Sequence, residues 1–101
     1  MRILVMLKPT NKRGTKMAYT RLRKFLISDG YTLWGPEIFM RVTTNRKSAE
    51  THMKRLRSYD PGSGTVRVLR LTEKQFKSIW YLTGEEDQQE QLVGSNSLVM
   101  I

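Results

Sequence analysis

The chain opens with RILVML, Arg2–Leu7, where apolar side chains follow one another without alternating with polar ones. A strand written this way is buried on both faces of a sheet. Pro9 and Gly14 mark the loop that follows. A helix runs from Thr15, placed to cap it, to Gly30, placed to end it. Within it Ala18, Leu22, Phe25 and Leu26 recur at helical spacing and form a core stripe, while Lys16, Thr20, Arg23 and Lys24 point the other way. YTLWGPEIFMRV reads as two strands broken at Gly35 and Pro36. Asn45 caps a second helix with Ala49, Met53 and Leu56 inward and Lys47, Lys54 and Arg55 outward. DPGSG, Asp60–Gly64, is a turn signal, and TVRVLRL after it is a strand rich in β-branched residues. Thr72 and Gln75 have capping-box spacing, which predicts a helical turn carrying Phe76 and then a further strand at IWYL, Ile79–Leu82.

The order strand, helix, strand, strand, helix, strand is the split βαβ pattern of α+β, ferredoxin-like domains, here with strands appended at the C-terminus. Both helices then cover one face of the sheet. The first strand has apolar side chains for the other face as well, and a second copy of the chain is the simplest cover, so a homodimer is expected. Residues 1–83 form the domain, and residues 84–101 form an acidic tail ending in a short strand at LVMI. There is no internal repeat.

Charge changes this picture from a fold to a function class. The chain has 101 residues and a net charge of +9, and all 18 of its Lys and Arg residues lie at or before Lys77. Residues 1–83, with 18 bases against 5 acids, carry +13, and the tail, with Glu85, Glu86, Asp87 and Glu90, carries −4. A body so basic binds polyanions. The absence of cysteine excludes disulfides and thiolate zinc sites and fits a reducing cytoplasm. No stretch reads as a signal peptide or a membrane span, so a cytoplasmic location is expected.

Candidate chemistry is concentrated in one place. Lys8, Lys12, Arg13 and Lys16 fall within nine residues at a loop and helix start, where backbone amides favour phosphate and the cations add counterion release. Arg23 and Lys54 are secondary candidates on the outward helix faces. With no base-reading geometry in view, the target is the phosphate backbone of duplex DNA. His52 has no second histidine or cysteine to complete a metal set and reads as a helix-flank residue. Asp29, Glu37 and Asp60 fall at a helix end, a strand start and a turn, each with a structural use. Phe76, Trp80 and Tyr81 read as core before base-stacking residues. The Lys/Arg-Gly-aromatic signature of RNA-recognition domains is missing.

Three segments, AYTRLRKFLISDGY, IFMR at Ile38–Arg41 and LTEKQF at Leu71–Phe76, resemble the CRISPR-associated protein two family, the small dimeric subunit of the spacer-acquisition complex. The tail TGEEDQQEQLVGSNSLVMI is similar to the version found in type II systems. The resemblance implies a ferredoxin-like homodimer that bridges two dimers of the CRISPR integrase subunit and contacts the phosphates of a captured DNA duplex. It also implies magnesium-dependent endonuclease activity at an aspartate that ends the first strand. Here Met6-Leu7-Lys8-Pro9-Thr10 stands where the family has Phe-Asp-Leu-Pro-Thr, so Leu7 takes the aspartate's place, and Gly35 and Glu37 replace its usual Gln and Ser. The expectation is therefore a non-catalytic DNA-binding scaffold with no catalytic or metal residues, the alternative being a metal-dependent phosphodiesterase with a relocated acid such as Glu37. Leu98, Val99, Met100 and Ile101 are expected to dock the integrase subunit by adding a strand to a sheet edge.

Overall fold

A computed structural model describes residues 1–11 and 13–84. Lys12 and residues 85–101, including the expected docking strand Leu98–Ile101, lie outside the described residues. The elements are β1 (Arg2–Lys8), α1 (Thr15–Ser28), β2 (Thr32–Gly35), β3 (Ile38–Val42), α2 (Arg46–Arg57), β4 (Thr65–Leu71) and α3 (Glu73–Lys77). The strands form one sheet in the order β2-β3-β1-β4, every neighbouring pair antiparallel. This is the α+β, ferredoxin-like order expected from the pattern.

The inner position of β1, between β3 and β4, accounts for its unbroken apolar run. Ile3, Val5 and Leu7 join Tyr19, Leu22 and Leu26 of α1, Phe39 of β3, and Ala49 and Leu56 of α2 in the main core. Leu4 faces the other side, where it packs with Met40 and Phe76, flanked by Trp34, Ile38 and Ile79. α3 thus covers part of the second face. Arg2 is buried there, with Nη2 2.9 Å from Glu73 Oε1 and its guanidinium carbon 3.8 Å from the Phe76 ring centre. That hydrogen bond also holds the Glu73 carboxyl below its ordinary range.

Local signals held where they were strongest. The Asn45 side chain accepts from the Ser48 N–H at 2.8 Å, and Thr72 with Gln75 forms the full capping box that starts α3. Four expectations need correction. Thr15 is not the cap of α1; Gly14, at φ 85, takes that position, and the Thr15 hydroxyl lies 3.1 Å from Ser63 Oγ instead. Tyr19 replaces Ala18 in the fully buried stripe, because its phenol reaches across to donate to the Ser63 carbonyl at 2.7 Å. His52 is no flank residue: it is buried on α2, with Nδ1 2.8 Å from Asp29 Oδ2, and Arg55 takes the other carboxylate oxygen at 2.9 Å. Ile79–Leu82 forms no strand. Phe76 and Ile79 anchor the chain by side-chain packing on the second face, and Trp80 and Leu82 are left exposed.

Candidate nucleic-acid interface

The turn from the end of β1 into α1 is built from both sides. Lys8 pairs in register with Thr65 of β4, so the start of β4 and the DPGSG turn before it lie beside the turn. Asp60 Oδ1 accepts from the Gly62 N–H at 2.8 Å, and Ser63 meets Thr15 and Tyr19 of α1. Gly64, at φ 71, sits so close to the carbonyl of Lys8 that a Cβ would come within 2.6 Å of it. The loop therefore props the turn and fixes the first turn of α1 beneath it.

α1 begins without a side-chain cap and without an acid in its first turn. Its first amide donors and the positive end of its dipole are thus left for an external anion. Lys8, Arg13 and Lys16 are all exposed around them, and Lys12 lies outside the described residues. Four of the five described carboxylates face a basic side chain, Asp29 with His52 and Arg55, Glu50 with Arg70, Glu73 with Arg2, and Glu37 with Arg23, while Asp60 accepts from the Gly62 N–H. Lys8, Arg13, Lys16 and Lys54 are consequently in no ion pair with a described carboxylate. Lys54 stands apart from the turn, on the last turn of α2, where it also complements the helix dipole.

Arg23 departs from the sequence reading. Its Nε and Nη2 grip Glu37 Oε1 and Oε2 at 2.9 and 2.6 Å, so it is a forked ion pair and not a free outward cation. This hydrogen bond raises the guanidinium's pKa further still. Sequence reading also passed over Arg21, which is exposed on α1 with Lys24. The signal for it was present, since Arg21 and Lys24 stand three residues apart on α1 and so neighbour each other on its surface.

Magnesium, which the family resemblance implies at the end of β1, requires oxygen ligands there. Leu7 is buried in the main core and offers no oxygen. Glu37 does lie beside this turn, with its carbonyl accepting from the Leu7 N–H at 2.9 Å, but its carboxylate is filled by Arg23. No group of three His, Cys, Asp or Glu side chains comes together among the described residues. The donors here do not fit a hard divalent cation, which takes several oxygen ligands.

No family model matches the chain. It is 37% identical over 101 residues to the CRISPR-associated endoribonuclease Cas2 of Acidovorax ebreus (strain TPSY), with 99% of each chain covered. It is 36% identical over 78 residues to the protein of the same name from Ligilactobacillus salivarius (strain UCC118), covering 77% of each. With that of Streptococcus mutans serotype c (strain NN2025) the identity is 33% over 85 residues, covering 84% of this chain and 79% of the relative. No described helix is long and apolar enough to cross a membrane.

Proposed function

This chain belongs to the CRISPR-associated Cas2 family, and we propose that its part in CRISPR adaptation is that of a non-catalytic scaffold, which binds the backbone of duplex DNA and links copies of the integrase subunit. The observation that carries this reading is the end of β1: a buried leucine where the resemblance implies a carboxylate, followed by exposed Lys8, Arg13 and Lys16 at an uncapped helix start. Such a site attracts phosphate and gives a metal nothing to bind. The competing reading is metal-dependent cleavage, which the relatives' name, endoribonuclease, favours. Cleavage and retention of labelled nucleic acid, measured together, separate the two.

The scaffold is proposed to be a homodimer joined through the second face of the sheet. Val42 and Leu69 are 56% and 46% exposed, and Leu69 stands directly opposite Leu4 in the register, so an apolar strip continues beyond the cover that α3 provides. A second copy hides that strip from water. Analytical sedimentation at micromolar concentration is expected to give a single dimeric species, and a monodisperse monomer contradicts this part of the reading.

The acidic tail is proposed to serve the integrase subunit, since its −4 charge disfavours DNA and LVMI can extend a sheet. Truncation after Gly84 is expected to abolish co-purification with the integrase subunit and to leave dimerisation intact. Retained assembly of the truncated chain contradicts it.

A further inference from the structure

We infer that Glu37 is a built-in stand-in for phosphate, which keeps Arg23 occupied until a polyanion long enough to engage the neighbouring cations displaces it. The inference rests on the reading of the β1–α1 turn as a phosphate-binding surface and adds a selection rule to it. Nothing in the family resemblance supplies this residue, because the family's usual side chain at the position is serine.

The pair has the geometry of a phosphate clamp. Two guanidinium nitrogens of Arg23 meet two carboxylate oxygens at 2.9 and 2.6 Å, the parallel fork that arginine also makes with two oxygens of a phosphodiester. Both side chains are about one-third exposed, 36% and 35%, so an incoming anion can reach them. Arg23 lies seven residues after Lys16, two turns further along the same stripe of α1, about 10 Å away. A strand of phosphates that engages Lys16 is thereby led towards Arg23.

Glu37 is held in place to do this. It is the one non-glycine with positive φ among the described residues, at φ 59, a conformation that side chains other than Asn and Asp rarely adopt. Its carbonyl is fixed by the Leu7 N–H at 2.9 Å. The turn thus presents the carboxylate to α1 from a backbone that cannot slide away with it.

Selection by length follows from the exchange. A single anion that replaces Glu37 trades one fork for another and leaves the freed carboxylate beside the bound anion, which repels it, so it gains nothing. A polyanion also binds Lys8, Arg13 and Lys16, and counterion release grows with each phosphate neutralised. The switch therefore favours long duplexes over free phosphate and nucleotides.

The test follows the side-chain Nε–H resonance of Arg23 by nuclear magnetic resonance in the full chain, as duplex DNA, heparin or inorganic phosphate is added at equal charge concentration. The resonance is expected to shift with duplex and heparin and to stay fixed with inorganic phosphate. In Glu37→Gln, inorganic phosphate is expected to shift it too. A fixed resonance with both polyanions overturns the inference, and so does a wild-type response to phosphate as large as that of the variant. The backbone amides of Arg13–Lys16 report on the underlying reading separately. If they respond to heparin but not to duplex, the DNA reading fails, while Arg23 still decides the inference.

Discussion

Gly64→Ala is expected to lower the stability of the domain by about 3 kcal/mol, the sum of a left-handed backbone cost of 1–2 kcal/mol, steric strain and a disturbed hydrogen bond. Gly64 sits at φ 71, where an added Cβ would strike the Tyr19 hydroxyl, lie 2.6 Å from the Lys8 carbonyl and come within 3.3 Å of Pro9 Cα. None of these can step aside cheaply. Lys8 is the last ladder residue of β1, and the Tyr19 ring is fully buried with its hydroxyl tied to Ser63. Gly62→Ala is the control, since Gly62 has a similar φ of 77 but nothing within 4 Å of the added Cβ. It is expected to lose only the backbone share, about 1 kcal/mol. Urea unfolding of the two variants checks this, and equal losses would mean that the loop does not press on the turn.

Replacing Lys8, Arg13 and Lys16 together with alanine is expected to weaken duplex binding by about three orders of magnitude near 0.1 M salt. Each phosphate neutralised contributes about −0.9 to the slope of log affinity against log salt, so three lost contacts flatten it by about 2.7. The same slope, extrapolated from 1 M to 0.1 M, gives the loss in affinity. The three side chains are exposed and in no ion pair with a described carboxylate, so their removal leaves no buried charge behind. The thermal midpoint should therefore hold. Fluorescence anisotropy across a salt series measures the slope, and an unchanged slope in the triple variant would move the interface to another part of the surface.

What the sequence made legible was what is encoded over a few neighbouring residues. The doubly apolar β1 announced a central strand, Asn45 and Thr72 announced helix starts, and Asp60–Gly64 announced a turn. Together these were enough for the element order and the ferredoxin-like topology. What stayed hidden depends on partners far apart in the chain. His52 lies 23 residues from Asp29, and Arg23 lies 14 from Glu37. Periodicity says which way a side chain points but not which acid waits there. Tyr19 was passed over for a related reason: its hydroxyl is satisfied by the carbonyl of Ser63, 44 residues away in the chain, which helical spacing does not reveal. The segment Ile79–Leu82 has strand composition, yet its packing onto the second face decided its course. The basic turn was legible because four cations in nine residues need no long-range partner to be seen, and the expectation that Leu7 stands where the family has an aspartate came only from the resemblance.

The central claim is that the end of β1 holds nucleic acid without cutting it. Its most direct test is to incubate the full chain with labelled duplex DNA and single-stranded RNA in magnesium or manganese, then to resolve each reaction on native and denaturing gels. The account predicts a retarded duplex on the native gel and full-length DNA and RNA on the denaturing one. Shortened products that vanish with chelator, and that Glu37→Gln also abolishes, would contradict it and place a metal at this turn.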